Sequence, residues 1–118
     1  MQYVLIYSQP AEVYDMNSDP VKGPANLAAW QHYLDAMGAA GIMRGGNRLQ
    51  ALAGSSVRVV DGKRQVQDGP YAESKDLLGG YVIIEVSTLD EALKWAELSP
   101  SSKAGSTDVY PVMDMPKQ

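Results

Sequence analysis

Two stretches of this chain are apolar at nearly every position, a pattern typical of strands that are buried on both faces. They are Tyr3–Tyr7, close to the N-terminus, and Tyr81–Val86. Both are rich in aromatic and β-branched residues, which favour extended backbone. We therefore expect them to be central strands of a sheet, and we expect Asp108–Val112 to form a last strand.

Helical periodicity is present in two segments. After Pro24, which suits the first turn of a helix, apolar residues recur at three- and four-residue spacing until Gly38 and Gly41 end the pattern. The predicted buried stripe consists of Leu27, Trp30, Leu34 and Met37. A second helix is expected after Thr88, because its hydroxyl can accept the backbone N–H of Glu91 while the Glu91 carboxylate reaches back.

Turn signals divide the rest of the chain. The polar segment Ser8–Gly23 contains two prolines and is predicted to be a long loop with room for one helical turn. Ile42–Leu52 is predicted to be a strand interrupted by glycines. Asp61-Gly62 lies between Val57–Val60 and Arg64–Gln67, which is the pattern of a tight hairpin.

This order of elements predicts one α+β domain over residues 1–118. Its sheet should be ferredoxin-like and antiparallel, with both helices on one face. The other face of such a sheet is bare, although the two apolar strands call for burial on both faces. Packing two bare faces together removes this conflict, so we expect a homodimer that forms through the sheet faces.

Composition excludes several classes of protein. The chain has no cysteine, so it has neither disulfides nor a thiolate metal site. Its net charge of −4 is spread without a basic block, which argues against nucleic-acid binding. The N-terminal apolar run lacks the basic region of a signal peptide, and no run is long enough to span a membrane. We therefore predict a cytoplasmic protein.

The segment after the hairpin, QDGPYAESKDLLGGY, contains a second Asp-Gly pair that cannot form another hairpin turn, because Pro70 has no N–H to donate. Asp68 can instead accept backbone N–H groups in a rigid turn that docks Tyr71 into a core or cleft. The alternative is that Asp68 and Glu73 present two carboxylates to a cleft as acid/base groups or metal ligands. A metal site needs a third ligand, which the sequence does not identify, so we predict neither metal nor cofactor.

Other candidate site residues lie on the first helix and the strand after it. His32 is the only histidine, but on a helix it lies opposite the apolar stripe and faces solvent unless a partner or the Ser8–Gly23 loop covers it. Arg44 and Arg48, four residues apart on a predicted strand, share one face and could hold a carboxylate or phosphate. Solvated edge charges are the alternative. Five aromatic residues could line a pocket or could be plain core: Tyr3, Tyr7, Trp30, Tyr71 and Tyr81.

The stretch DGPYAESKDLLGGY, followed by the acidic helix Leu89–Ala96, closely resembles the DGPF-domain family of the YCII-related group. Tyr71 stands where that family usually has Phe. The likeness covers nearly the whole chain and implies a dimeric α+β barrel of ferredoxin-like subunits. The group's catalytic pair is a histidine on the first helix and an aspartate before a proline. In this chain those positions fall near Ala29 and at Ser99.

The resemblance leaves the activity open. The wider group includes an enzyme that dehydrochlorinates a chlorinated hydroxyquinol, and many DGPF genes lie beside sigma factors of the extracytoplasmic-function type. One hypothesis is therefore a cofactor-independent enzyme for a small aromatic or anionic molecule, with Asp68 or Glu73 as acid/base and Arg44 or Arg48 as anion clamp. The other is a non-catalytic ligand-sensing or interaction module, whose partner would be a sigma factor or another regulator.

Overall fold

The computed structural model describes residues 1–68 and 76–114 of the chain. These ranges contain six strands and four helices: β1 (Gln2–Pro10), α1 (Ala11–Met16), α2 (Lys22–Ala39), β2 (Met43–Arg48), β3 (Ser55–Val60), β4 (Lys63–Asp68), β5 (Asp76–Glu85), α3 (Leu89–Leu98), α4 (Ser101–Ala104) and β6 (Ser106–Pro111). One 3-10 turn, Ala51–Ala53, precedes β3. No helix in the described ranges is long and apolar enough to cross a membrane.

Four strands form the main sheet in the order β2-β5-β1-β6, and all neighbouring pairs in it are antiparallel. The two inner strands, β1 and β5, contain the two continuous apolar stretches of the sequence. At the centre, Val4 is paired with Ile83 on one side and with Tyr110 on the other. This strand order is that of a ferredoxin-like α+β domain, which confirms the predicted fold class.

The helices α2 and α3 cover one face of the sheet. Alternate residues of β1 point toward them, so that Leu5 is fully buried against core residues such as Met37 of α2 and Ala92 of α3. The opposite face, which we call the outer face, carries the intervening apolar residues of the inner strands and of β6. They are Val4, Ile6, Tyr81, Ile83 and Tyr110. The first four are partly buried, and Tyr110 is 58% exposed.

The buried stripe of α2 differs from the predicted one. Trp30 and Met37 contribute to the core as expected, but Leu27 is 57% exposed, so its predicted burial is wrong. Tyr33 takes part in the stripe instead and is buried. The polar tip of Tyr33 can be buried because its hydroxyl finds hydrogen-bond partners inside the fold.

The segment predicted as a long loop is largely regular structure. β1 continues past Tyr7 through a bulge and pairs with β5 as far as Pro10. The helix α1 follows, and its Tyr14 hydroxyl donates to the carbonyl oxygen of Leu77 at 2.7 Å. The prediction of a loop was wrong here because the residues at the end of β1 are polar and give no hydrophobic strand pattern. Pairing with β5 keeps them in the strand.

The hairpin forms where it was predicted. Asp61 and Gly62 have φ angles of 52° and 74°, as a two-residue turn with left-handed central residues requires. Among the strands of the described ranges, β3 and β4 pair only with each other and form a separate two-stranded sheet. Valines on this hairpin remain exposed, with Val57 at 59% and Val59 at 71%.

Candidate functional site

Three aromatic side chains meet under α2 on the helix-covered face of the sheet. The ring centroids of Tyr7 and Trp30 are 5.0 Å apart, those of Trp30 and Tyr33 are 5.9 Å apart, and those of Tyr7 and Tyr33 are 6.0 Å apart. All three contacts are edge-to-face, with interplanar angles from 75° to 88°. Tyr7 and Tyr33 are buried, whereas Trp30 is partly exposed. We call this group the aromatic trio.

The two tyrosine hydroxyls of the trio form a directed chain of hydrogen bonds. The Tyr33 hydroxyl donates to the backbone carbonyl oxygen of Trp95 at 3.0 Å. The Tyr7 and Tyr33 oxygens are also 3.0 Å apart. A tyrosine hydroxyl has a single proton to donate. The Tyr33 hydroxyl already donates its proton to the Trp95 carbonyl, so the Tyr7 hydroxyl must be the donor to Tyr33.

Burial changes the acid–base behaviour of both tyrosines. Loss of solvent raises the pKa of Tyr7 far above its usual value, and the charge and hydrogen bond of Tyr33 raise it further. Burial raises the pKa of Tyr33 to about 12, although the hydrogen bond from Tyr7 opposes the rise. At neutral pH both side chains are therefore neutral phenols that make hydrogen bonds and do not act as bases.

A cluster of four side-chain hydroxyls lies beside the trio. It consists of Ser99, Ser101, Ser102 and Thr107, whose oxygens are 2.7 to 3.2 Å apart in five contacts. Ser99 and Ser101 are fully buried. The carbonyl oxygen of Ala96 accepts hydrogen bonds from Ser99 at 2.7 Å and from Ser102 at 2.6 Å.

The cluster and the trio are joined through the sheet and through α3. Thr107 of β6 is the strand partner of Tyr7 of β1. The carbonyls of Trp95 and Ala96 are among the last four of α3, which have no N–H partner within a helix. Side-chain hydroxyls satisfy both, one from the trio and two from the cluster. The C-terminal turn of α3 is therefore fixed by the same groups that form the candidate site.

Of the predicted site residues on α2, the structure brings Trp30 into the trio. His32 is exposed and precedes the buried Tyr33, so within one chain its imidazole faces away from the trio. A role for His32 remains a prediction that depends on a partner surface.

Arg44 lies at an irregularity of β2, and Arg48 is the last residue of that strand. Arg44 is exposed and its guanidinium donates to the carbonyl oxygens of Gly41 at 2.9 Å and Met43 at 3.2 Å. A register shift between Met43 and Gly45 adds a residue to β2. The shift breaks the two-residue alternation that had placed Arg44 and Arg48 on one face.

Asp68 is the last residue of β4 and is exposed. Its carboxylate oxygen Oδ1 accepts a hydrogen bond from the hydroxyl of Ser55, its strand partner, at 3.3 Å. The other two residues predicted for this turn, Tyr71 and Glu73, lie outside the described residues. The choice between a structural turn and a pair of acid/base carboxylates therefore remains open.

An open depression of about 180 Å³ lies on the hairpin and is lined by Arg58, Gln65, Val66 and Gln67. None of the predicted site residues lines it. Within residues 1–68 and 76–114, no three histidine, aspartate or glutamate side chains come together in a way that could hold a metal ion. The trio is therefore the more specific candidate site, because it combines aromatic walls with oriented hydroxyls.

Sequence reasoning identified Tyr7 and Trp30 as pocket aromatics but missed Tyr33 and the hydroxyl cluster. Tyr33 follows Trp30 by three residues, so its helical spacing was a usable signal. The cluster had a weaker signal, the run Ser99-Pro100-Ser101-Ser102, because its members converge only when α4 turns back toward β6.

These features define a ferredoxin-like α+β domain with a buried group of aromatic rings and hydroxyls between its sheet and its helices. The chain belongs to the family of the YCII-related domain, whose model matches residues 1–116. An uncharacterized protein of Rhizobium meliloti (strain 1021) is 40% identical over 66 residues, which are 54% of this chain and 53% of that protein. The matched region thus spans about half the length of this curated relative.

A solved structure has the same fold. It is 5-chloro-2-hydroxyhydroquinone dehydrochlorinase (TftG) from Burkholderia phenoliruptrix AC1100, in complex with 2,5-dihydroxybenzoquinone. The two structures superpose with a TM-score of 0.54, covering 96% of this chain and 94% of the other, at 20% sequence identity. At this identity the likeness establishes the fold alone.

Proposed function

We propose that this protein binds a small hydroxylated aromatic compound beside the aromatic trio, between the sheet and α2. The observation that carries the proposal is the chain of hydrogen bonds from Tyr7 to Tyr33 to Trp95, enclosed by aromatic rings. Small-molecule sites are mostly apolar and contain a few well-placed polar groups. Trp30 is the member of the trio that reaches solvent, and it would form the outer wall.

The ligand of TftG supports this choice of compound class. That enzyme is named for a chlorinated hydroxyhydroquinone and is bound to a dihydroxybenzoquinone. A six-membered ring with oxygen substituents is also the shape that edge-to-face walls and phenolic hydroxyls recognise. We extend this compound class to the present chain as part of the proposal.

A catalytic step would require a base that the trio itself does not supply, because both tyrosines are protonated at neutral pH. In a lyase or dehydrochlorinase-like reaction we assign that role to Asp68 or Glu73, with His32 as an alternative that a second subunit would have to bring near. Arg44 and Arg48 would attract an anionic ligand. These assignments are proposals about single residues and stand apart from the binding proposal.

A non-catalytic ligand-sensing module is the second candidate, and the protonated state of the tyrosines favours it. Such a module would bind the same compound without turnover and would pass the signal to a regulator such as a sigma factor. Incubating the protein with 2-chlorohydroquinone distinguishes the candidates. Chloride release that is lost in the Asp68→Asn variant would support the enzyme, whereas binding without chloride release would support the sensor.

We also propose that two copies pack through their outer faces. Five apolar side chains lie on this face, and in a monomeric domain their exposed parts would remain in contact with water. Pairing the same face of two identical chains closes the assembly with twofold symmetry.

Titration with hydroquinone tests the binding proposal directly. The chain has two tryptophans, Trp30 and Trp95, and both belong to or adjoin the site, so ligand binding should change the intrinsic fluorescence. We expect saturable quenching that is weakened in the Trp30→Leu variant. An unchanged spectrum and an unchanged melting temperature at millimolar hydroquinone would overturn the proposal.

A further inference from the structure

We infer that the site presents a hydrogen-bond acceptor, the oxygen of Tyr7, and therefore selects ligands that bring a hydroxyl donor over ligands of the same shape that carry only carbonyl oxygens. This inference rests on the proposed function, because it specifies which member of the compound class the trio prefers. It follows from a count of protons in the buried hydrogen-bond chain.

The chain of hydrogen bonds has only one consistent direction. The Trp95 carbonyl has no proton, so Tyr33 must donate to it. The Tyr33 oxygen can then only accept further hydrogen bonds. The 3.0 Å contact between the two tyrosine oxygens is therefore a hydrogen bond that Tyr7 donates to Tyr33. The pKa values agree with this direction, since the shared hydrogen bond raises the pKa of Tyr7 and lowers that of Tyr33, as expected of a donor and an acceptor.

The direction is anchored at the end of α3. Trp95 lies in the last turn of that helix, where carbonyl oxygens lack a helical N–H partner. The N–H of Ser99, four residues later, is bonded to Ala96 instead. Reversing the hydrogen bonds would take the Tyr33 donor away from the partly buried Trp95 carbonyl, and that cost keeps the Tyr33 proton in place.

The consequence for a ligand concerns the Tyr7 oxygen. Its proton is committed to Tyr33, and its hydroxyl has no other hydrogen-bond partner among the described residues. A ligand hydroxyl can donate to the free lone pairs of this oxygen. A quinone carbonyl has no proton to donate, so its oxygen lone pairs would face and repel those of the Tyr7 oxygen unless Tyr7 gave up its bond to Tyr33. The loss of one net hydrogen bond corresponds to about tenfold in affinity.

Hydroquinone and 1,4-benzoquinone are suitable probes, because they share one ring skeleton and differ in donor capacity. The chain contains no cysteine to which a quinone would add. We expect wild-type protein to bind hydroquinone about tenfold more tightly than benzoquinone in fluorescence titrations. Phenol and anisole give a second comparison in the wild type, because methylation removes the donor and keeps the ring.

Two variants test the direction. Tyr33→Phe frees the Tyr7 proton, so benzoquinone should bind more tightly and the preference should fall toward unity. Tyr7→Phe removes the acceptor and should weaken hydroquinone while leaving benzoquinone unchanged. Tyr3→Phe is the matched control, because Tyr3 is a buried tyrosine of the same strand whose hydroxyl contacts only the Met1 sulfur, at 3.4 Å, among the described residues.

The outcomes separate this inference from the proposed function. Equal binding of hydroquinone and benzoquinone, or of phenol and anisole, by the wild type would overturn the inference and leave the proposed function standing. If no probe binds, or if binding is insensitive to Trp30→Leu, the proposed function fails and the inference with it. The wild-type ratio decides the inference even if a tyrosine variant does not fold.

Discussion

The buried tyrosines of the aromatic trio, Tyr7 and Tyr33, link the stability of the fold to alkaline pH. Their pKa values are raised in the folded state, so above the ordinary tyrosine pKa of 10.0 the unfolded chain loses protons that the folded chain keeps. The contribution of these tyrosines to the free energy of unfolding should therefore be constant below about pH 10 and fall as the pH rises toward 12, by about 1.4 kcal/mol per pH unit for each tyrosine.

Urea unfolding between pH 8 and 12 measures this dependence. In the Tyr33→Phe variant the slope should be shallower than that of the wild type by about 1.4 kcal/mol per pH unit, because Tyr7 and Tyr14, whose pKa values burial also raises, remain. A Tyr33→Phe slope equal to that of the wild type would show that the pair does not control alkaline stability.

Ser99 stabilises the hydroxyl cluster and the end of α3. It is fully buried and donates to the Ala96 carbonyl at 2.7 Å. Ser99→Ala removes this donor and the contacts of the Ser99 oxygen with Ser101, Ser102 and Thr107, so we expect the free energy of unfolding to fall by about 1–3 kcal/mol. Ser106→Ala, at an exposed position of β6, is the control and should change it by less than about 0.5 kcal/mol. Equal effects of the two substitutions would contradict the assigned role of the cluster.

For the elements, the N-terminus of α3 provides the clearest test of the sequence prediction. The Thr88 hydroxyl accepts the backbone N–H of Glu91 at 3.2 Å, as the spacing predicted. Thr88→Ala should lower the melting temperature and cost about 1 kcal/mol of stability, whereas Thr88→Ser keeps the acceptor and should cost less. Thermal unfolding followed by circular dichroism measures both. A Thr88→Ser loss as large as that of Thr88→Ala would exclude the cap as the cause.

Periodicity predicted the elements whose hydrophobic pattern matches their burial. The inner strands and the helices α2 and α3 belong to this group, whereas the hairpin was predicted from its Asp61-Gly62 turn and leaves its valines exposed. The end of β1 and the bulge in β2 could not be predicted, because they depend on pairing with β5, which is distant in sequence. One inserted residue in β2 interrupts the alternation on which the pairing of Arg44 with Arg48 was based, since a strand alternates with a period of two.

The candidate site was predictable to a smaller extent than the fold. Trp30 could be identified from the stripe of α2 alone. The Tyr7–Tyr33 bond joins residues 26 positions apart, and Tyr33 reaches Trp95 across 62 positions. Such contacts follow from the docking of α2 and α3 on the sheet. No local sequence pattern predicts how these helices dock. The hydroxyl cluster depends in the same way on the return of the chain from α4 into β6.

For the whole molecule, the proposed dimer predicts which exposed apolar side chain matters. Tyr110 on the outer face and Val57 on the hairpin are almost equally exposed, at 58% and 59%. Tyr110→Lys should place a charge in the interface and weaken the dimer at least about tenfold, whereas Val57→Lys should leave it intact. Sedimentation equilibrium at micromolar protein measures both. A monomeric wild type, or a dimer that only Val57→Lys dissociates, would contradict packing through the outer face.

The central claim is that the aromatic trio is a ligand site, and NMR with ¹⁵N-labelled protein and hydroquinone tests it most directly. The two indole N–H signals, those of Trp30 and Trp95, and the amide signals of Tyr7, Tyr33 and Thr107 report on the trio and its surroundings. We expect these signals to shift together and to saturate, with the largest change at Trp30. Shifts confined to the hairpin depression around Val66, or no shifts at millimolar hydroquinone, would contradict the claim.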